Sequence, residues 1–155
     1  RDHESPRRAE VTLDQGAYFE LKRHRLMTQT PQPLTADLGY AVPRLIVEAG
    51  VEAAFHAAMQ AASDTYHALA AWNPDVAAYI VPNAFNRRLL MTFNLREAFH
   101  LIELRAAPNA HFAMRRVAVR LAEEIRSASP LLAEWLRLPE GADWRAIERE
   151  HFARA

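Results

Sequence analysis

The chain has no cysteine, which excludes disulfides, thiolate metal sites and cysteine nucleophiles. Glycine is scarce, with four in 155 residues, and neither a Gly-x-Gly-x-x-Gly nor a P-loop pattern occurs, so no glycine-rich phosphate loop is available. A Gly-x-Ser-x-Gly elbow is missing too, which argues against a serine hydrolase of that type. No run approaches the ~20 apolar residues of a membrane span, and no stretch has the pattern of a signal peptide. A cytoplasmic protein without a membrane partner is the expectation. Neither sign of charge dominates: nineteen Lys and Arg balance nineteen Asp and Glu, which disfavours general nucleic-acid binding.

What is present suits one globular domain with a real core: half the residues are hydrophobic and a quarter charged. Arg1–Glu10 (RDHESPRRAE) is charged, holds a proline and reads as a leader or linker, leaving 11–155 as a single domain. A strand or irregular segment is expected at Val11–Leu13, then a helix from about Gly16 to Arg25. That helix would end in the basic cluster Lys22-Arg23-His24-Arg25. Cations at a helix end oppose the dipole, so the cluster is either a solvated end or an anion clamp. Met27–Pro33 (MTQTPQP) reads as a loop. A short helix from Pro43 to about Glu48 is broken by Gly50. The longest helix signal is Val51–Trp72, alanine-rich, with Val51, Phe55, Met59, Ala62, Tyr66 and Leu69 on one face. Asn73-Pro74 ends it.

Tyr79–Arg105 (YIVPNAFNRRLLMTFNLREAFHLIELR) organises the rest. A strand signal at its start gives way to Pro82 and then to an extended run, Arg88–Phe93. Asn94 suits a helix N-cap, and Leu95, Ala98, Phe99 and Ile102 recur as a core-facing stripe. At about 100° per residue, Arg96 and His100 share a face with Glu103 nearby, whereas Arg105 falls on the side of Ala98, Leu101 and Ile102. An arginine on an apolar side keeps its charge and needs a carboxylate or phosphate there. Arg96 and Arg105 cannot easily serve one pocket within one subunit, so one is structural or the pocket is shared between chains. Further helices are expected at Ala110–Arg126, Leu131–Leu136 and Asp143–Arg154. The fold class expected is α+β: mostly helical, with a small antiparallel sheet packed against long helices.

Two Glu-x-x-His pairs, Glu97/His100 and Glu148/His151, have the spacing of carboxylate-bridged di-iron bundles. Such a site needs two more inward carboxylates, and the candidates Glu20 and Glu52 sit on no apolar stripe. No metal is expected.

Arg23-His24-Arg25, the Pro82 break, and Asn94-x-Arg96 followed by Leu104-Arg105 resemble the flavin-dependent thymidylate synthases across about residues 17–135. The resemblance implies an α+β homotetramer whose sites are built from several subunits. It implies FAD, with NADPH as its reductant, and dUMP and methylenetetrahydrofolate as substrates of the reaction that yields dTMP. Arg23, His24, Arg25, Asn94, Arg96 and His100 stand at cofactor-binding positions, His100 in place of an Asn, and Arg105 stands at a substrate-binding one. Several positions depart from the family pattern. Thr28 stands for Ser, and Thr30, Pro31, Pro33 and Thr35 stand for Asn, Glu, Ser and Arg. Ala78 replaces a phosphate-binding Arg, and Glu20 replaces a Gln. Two prolines remove N–H donors where the family binds ligand. Together with a start at Arg1, these departures lead to the expectation of a divergent member, or the C-terminal half of a tandem-duplicated one. Such a chain would contribute FAD and nucleotide half-sites without being competent alone; the alternative is a non-catalytic domain that completes an oligomer.

Overall fold

The computed structural model describes residues 7–154. The leader expected over residues 1–10 falls outside them as far as residue 6, and Arg7–Glu10 instead belong to a strand, β1 (Arg7–Asp14). Its alternation places Ala9, Val11 and Leu13 on the core side and Arg8, Glu10 and Thr12 on the exposed side, the pattern of a half-buried strand. Asp14 then caps α1 (Gln15–Leu21), its carboxylate accepting from Ala17 N–H at 2.8 Å. The helix stops four residues short of the expected Arg25. The N–H groups of Arg23 and His24 turn back to the carbonyls of Glu20 and Leu21, which swings His24 inward.

Met27–Pro33 is not all loop. Thr28–Pro31 forms β2, an edge strand against β4 (Asn86–Phe93), and an edge tolerates proline because one side of its backbone stays unpaired. The sheet is antiparallel in the order β1-β4-β2. After β3 (Val42–Pro43) and α2 (Arg44–Glu48), Gly50 breaks the helix with φ +71°, where a Cβ would be strained. The long helix appears as α3 (Glu52–Ala70), burying Met59 and Tyr66 over a satellite core with Phe85 and Val81.

The strand signal near Tyr79 is overruled. Asn73 caps α4 (Pro74–Ala77), which runs on into a single 3-10 turn at Ala78–Ile80, and Pro82 ends it. Asn94 does cap α5 (Leu95–Arg105), accepting from Glu97 N–H at 2.9 Å. Then come α6 (Phe112–Ala128), the short α7 (Pro130–Ala133) and α8 (Trp144–His151). The last helix does not reach Arg154. Phe152–Arg154 forms β5 on β3, and the Arg44 guanidinium donates to the carbonyls of Arg149 and Phe152 that the helix end leaves open.

The main core lies between the inner sheet face (Leu13, Leu89, Met91, Phe93) and the buried stripes of α5 and α6. The expected α+β class with a small antiparallel sheet against long helices is borne out. No helix among the described residues is long and apolar enough to cross a membrane.

Leu101 is fully buried at the centre of this core. Leu101→Ala is expected to lower the unfolding free energy by ~2–5 kcal/mol, read from the urea midpoint at unchanged slope.

Candidate functional site

Glu97 and Arg105 lie eight positions apart on α5, a little over two turns and about 12 Å in rise. His24 enters between them. Its Nδ1 lies 3.0 Å from Glu97 Oε1, and its Nε2 lies 3.0 Å from Arg105 Nε. Guanidinium nitrogen only donates, so Nε2 is the acceptor and Nδ1 carries the proton that is given to Glu97. His24 and Glu97 are both buried, at 5% and 2% exposure, so neither reaches solvent. Arg105 continues the chain to Glu20, whose carboxylate lies 2.8 Å from Nη1. The carboxylate that Arg105 needs on the apolar side of α5 thus comes from α1.

The loop that carries His24 is fixed from below as well. Gln29 of β2 donates its amide to the carbonyls of Leu21 and His24, at 3.0 and 2.9 Å. With His24 anchored inward, its two neighbours face apart. Arg23 lines an open cleft of about 630 Å3 together with Glu20, His100, Glu103, Arg105 and His111. Arg25 lines a second, shallower depression of about 410 Å3, with Thr28, Thr92 and the Asn94 cap of α5. Arg96 is exposed and lines neither cavity.

The sequence-predicted residues therefore divide. Arg23, His100 and Arg105 meet at the first cleft, and Arg25 and Asn94 at the second. Arg23, Arg25 and Arg96 do not converge on one anion within this chain. His24, expected against flavin, has both ring nitrogens engaged by side chains of the chain itself. Glu97 is the residue that sequence reasoning underrated. Its eight-residue offset from Arg105 was available as a signal, but the buried histidine between them is not visible along the chain.

The metal pairs come apart. Glu97 is spent on His24 while His100 is exposed, Glu148 pairs with Arg116 at 3.4 Å, and His151 stacks on Phe112. Glu52 sits beside His56 and Glu20 on Arg105. Among the described residues no cluster of three or more His, Asp or Glu could hold a metal ion.

Fold and site define an α+β protein with two open clefts, each faced by an arginine from the same short loop. Residues 8–131 match the family described as thymidylate synthase complementing protein, and the chain belongs to that family. The resemblance carried by the Arg-His-Arg and Asn-x-Arg segments is borne out at that level. A UPF0159 protein of Chlamydia muridarum is 39% identical over 144 residues, covering 88% of this chain and 27% of the relative. A UPF0159 protein of Thermoplasma acidophilum is 36% identical over 140 residues, covering 87% and 28%. A flavin-dependent thymidylate synthase of Geobacter sulfurreducens is 29% identical over 130 residues, covering 77% and 56%. This chain thus spans little more than a quarter of the first two relatives and about half of the third.

Burial pushes the His24 imidazole below its ordinary pKa, and the charges of Arg105 and His100 push the same way against the hydrogen bond to Glu97. The unfolded chain protonates His24 near pH 6.5 and the folded chain only at lower pH. Stability from this group is complete above about pH 6.5 and falls as the pH drops towards the folded value, by up to ~1.4 kcal/mol per pH unit. Urea unfolding at pH 7.5 and 5.5 should show this acid loss in the wild type and a smaller one in His24→Gln.

Proposed function

We propose that this chain provides flavin- and nucleotide-binding half-sites of a flavin-dependent thymidylate synthase. In this reading FAD, NADPH, methylenetetrahydrofolate and dUMP are the reactants, and turnover needs surfaces from a second copy or a homologous second domain. The observation that carries it is the buried His24, which turns Arg23 towards one cavity and Arg25 towards another. Both cavities are open, whereas a small-molecule pocket buries most of its ligand, so each needs a further wall.

The second depression fits the phosphates of FAD. Arg25 supplies a guanidinium, and the N-terminus of α5 adds positive potential, with Asn94 taking the Glu97 N–H of its first turn. Once bound, the flavin supplies the hydride chemistry by which the transferred carbon unit is reduced. The chain's own part is to hold and orient. His24 and Gln29 keep the loop fixed, Asn94 sets the start of the helix, and Arg25 neutralises phosphate charge. The first cleft, with Arg23, His100 and Arg105, is the nucleotide side.

A second reading is favoured by one observation: Arg105 is already neutralised by Glu20. Neutral Thr35 and Ala78 and the proline at 31 also stand where the family carries charge. On that reading the domain completes an oligomer without chemistry. The alanine-rich surface of α3, where Ala54, Ala57, Ala58 and Ala61 are exposed, suits either form of association.

Titration of the chain separates the two. FAD is expected to bind more tightly than riboflavin, and Arg25→Ala to weaken FAD by roughly 10- to 150-fold, the equivalent of one charged hydrogen bond at ~1.5–3 kcal/mol. Equal affinity for riboflavin and FAD would favour the structural reading. In a companion assay, tritium release from labelled dUMP by the chain alone should stay at the no-protein blank. Release above it would show that copies of this chain suffice and that no homologous second domain is needed.

A further inference from the structure

Each nitrogen of Arg105 has an acceptor within this chain, and the three acceptors differ in kind. Nε donates to His24 Nε2 at 3.0 Å, and Nη2 to the Glu20 carbonyl at 3.3 Å. Both of those are neutral groups. Nη1 donates to Glu20 Oε2 at 2.8 Å, and only this contact cancels the guanidinium charge. The other nearby carboxylates are engaged elsewhere: Glu97 on His24, and Glu103 on Arg137 at 3.7 Å.

We propose that the first cleft is an oxyanion site held closed by its own Glu20, whose carboxylate occupies Arg105 in place of a phosphate- or carboxylate-bearing ligand. The inference rests on the nucleotide reading of this cleft for one of its probes. Glu20 is at the end of α1 with its side chain about a third exposed, so it can swing out by rotamer change. Arg105, more deeply set, stays in place, because His24 and the Glu20 carbonyl hold two of its nitrogens without the carboxylate. The freed Nη1 would face the cleft with little reordering cost. Arg23 faces the same cleft with no ion pair among the described residues, so displacing one side chain gives two guanidiniums to an oxyanion. With Glu20 seated, an incoming anion must displace a carboxylate and is repelled by it.

The test is calorimetric titration of the full chain with inorganic phosphate, dUMP and deoxyuridine. The proteins are wild type, Glu20→Gln, and Glu20→Gln combined with Arg23→Gln or with Arg105→Gln. An amide at position 20 keeps the shape and removes the charge. Glu20→Gln is expected to bind phosphate and dUMP at least ~10-fold more tightly than wild type, with no gain for deoxyuridine. Either second substitution should cancel the gain, and the Arg23 variant tests this even where loss of Arg105 disturbs folding. A gain for phosphate but none for dUMP would support the closed oxyanion site and reject the nucleotide reading. Tight dUMP binding by wild type that Glu20→Gln leaves unchanged would overturn the closure and leave the nucleotide reading standing. No gain for either anion overturns the closure as well.

Discussion

The hydrogen bond between His24 and Glu97 is the contact on which the site depends. It joins two buried side chains 73 positions apart, one from the turn after α1 and one from the first turn of α5. Leaving either partner buried alone would cost about 1–3 kcal/mol, so the loop and the helix stay together. The bond also sets the tautomer of His24, and through it the acceptor that orients Arg105. A single buried imidazole therefore positions two exposed arginines beside it and one guanidinium across from it. The Asn94 cap reinforces the arrangement, because the residue whose N–H it accepts is Glu97 itself.

The two cavities divide between them what sequence resemblance gathers into one motif. Arg23 and Arg25 are two residues apart yet belong to different surfaces, since the residue between them points into the core. Both clefts are open, and each is lined by one of the two arginines. The chain covers only part of the length of these relatives.

Residues beyond the family match at 8–131 brace α6. The Trp144 indole donates to Glu123 of α6, Arg145 pairs with the same carboxylate at 3.0 Å, and Arg116 lies over the Phe152 ring. The two hydrogen bonds hold the Glu123 carboxyl below its usual pKa, the one from Arg145 contributing more. With β5 paired to β3, the C-terminal segment ties α6 to the middle of the chain, while α5 packs on α6 and carries the site.

By itself the sequence determined what depends on neighbours within a few positions. The Asn94 cap, the buried stripe of α5, the break at Gly50 and the length of α3 follow from local hydrogen bonding and a 3.6-residue repeat. The Arg-His-Arg segment, the Pro82 break and the Asn94-x-Arg96 helix ending in Leu104-Arg105 together pointed to the family. The prolines of 27–33 concealed an edge strand, because whether a proline is tolerated depends on which side of the strand has a partner. The signal near Tyr79 misled for a related reason: extended propensity yields a strand only where another strand lies alongside. Only the tertiary structure decided which carboxylate each cation takes. Arg105 finds His24 and Glu20 at 81 and 85 positions' remove, and such choices depend on distance in space, because solvent and salt screen exposed charges beyond about 8–10 Å.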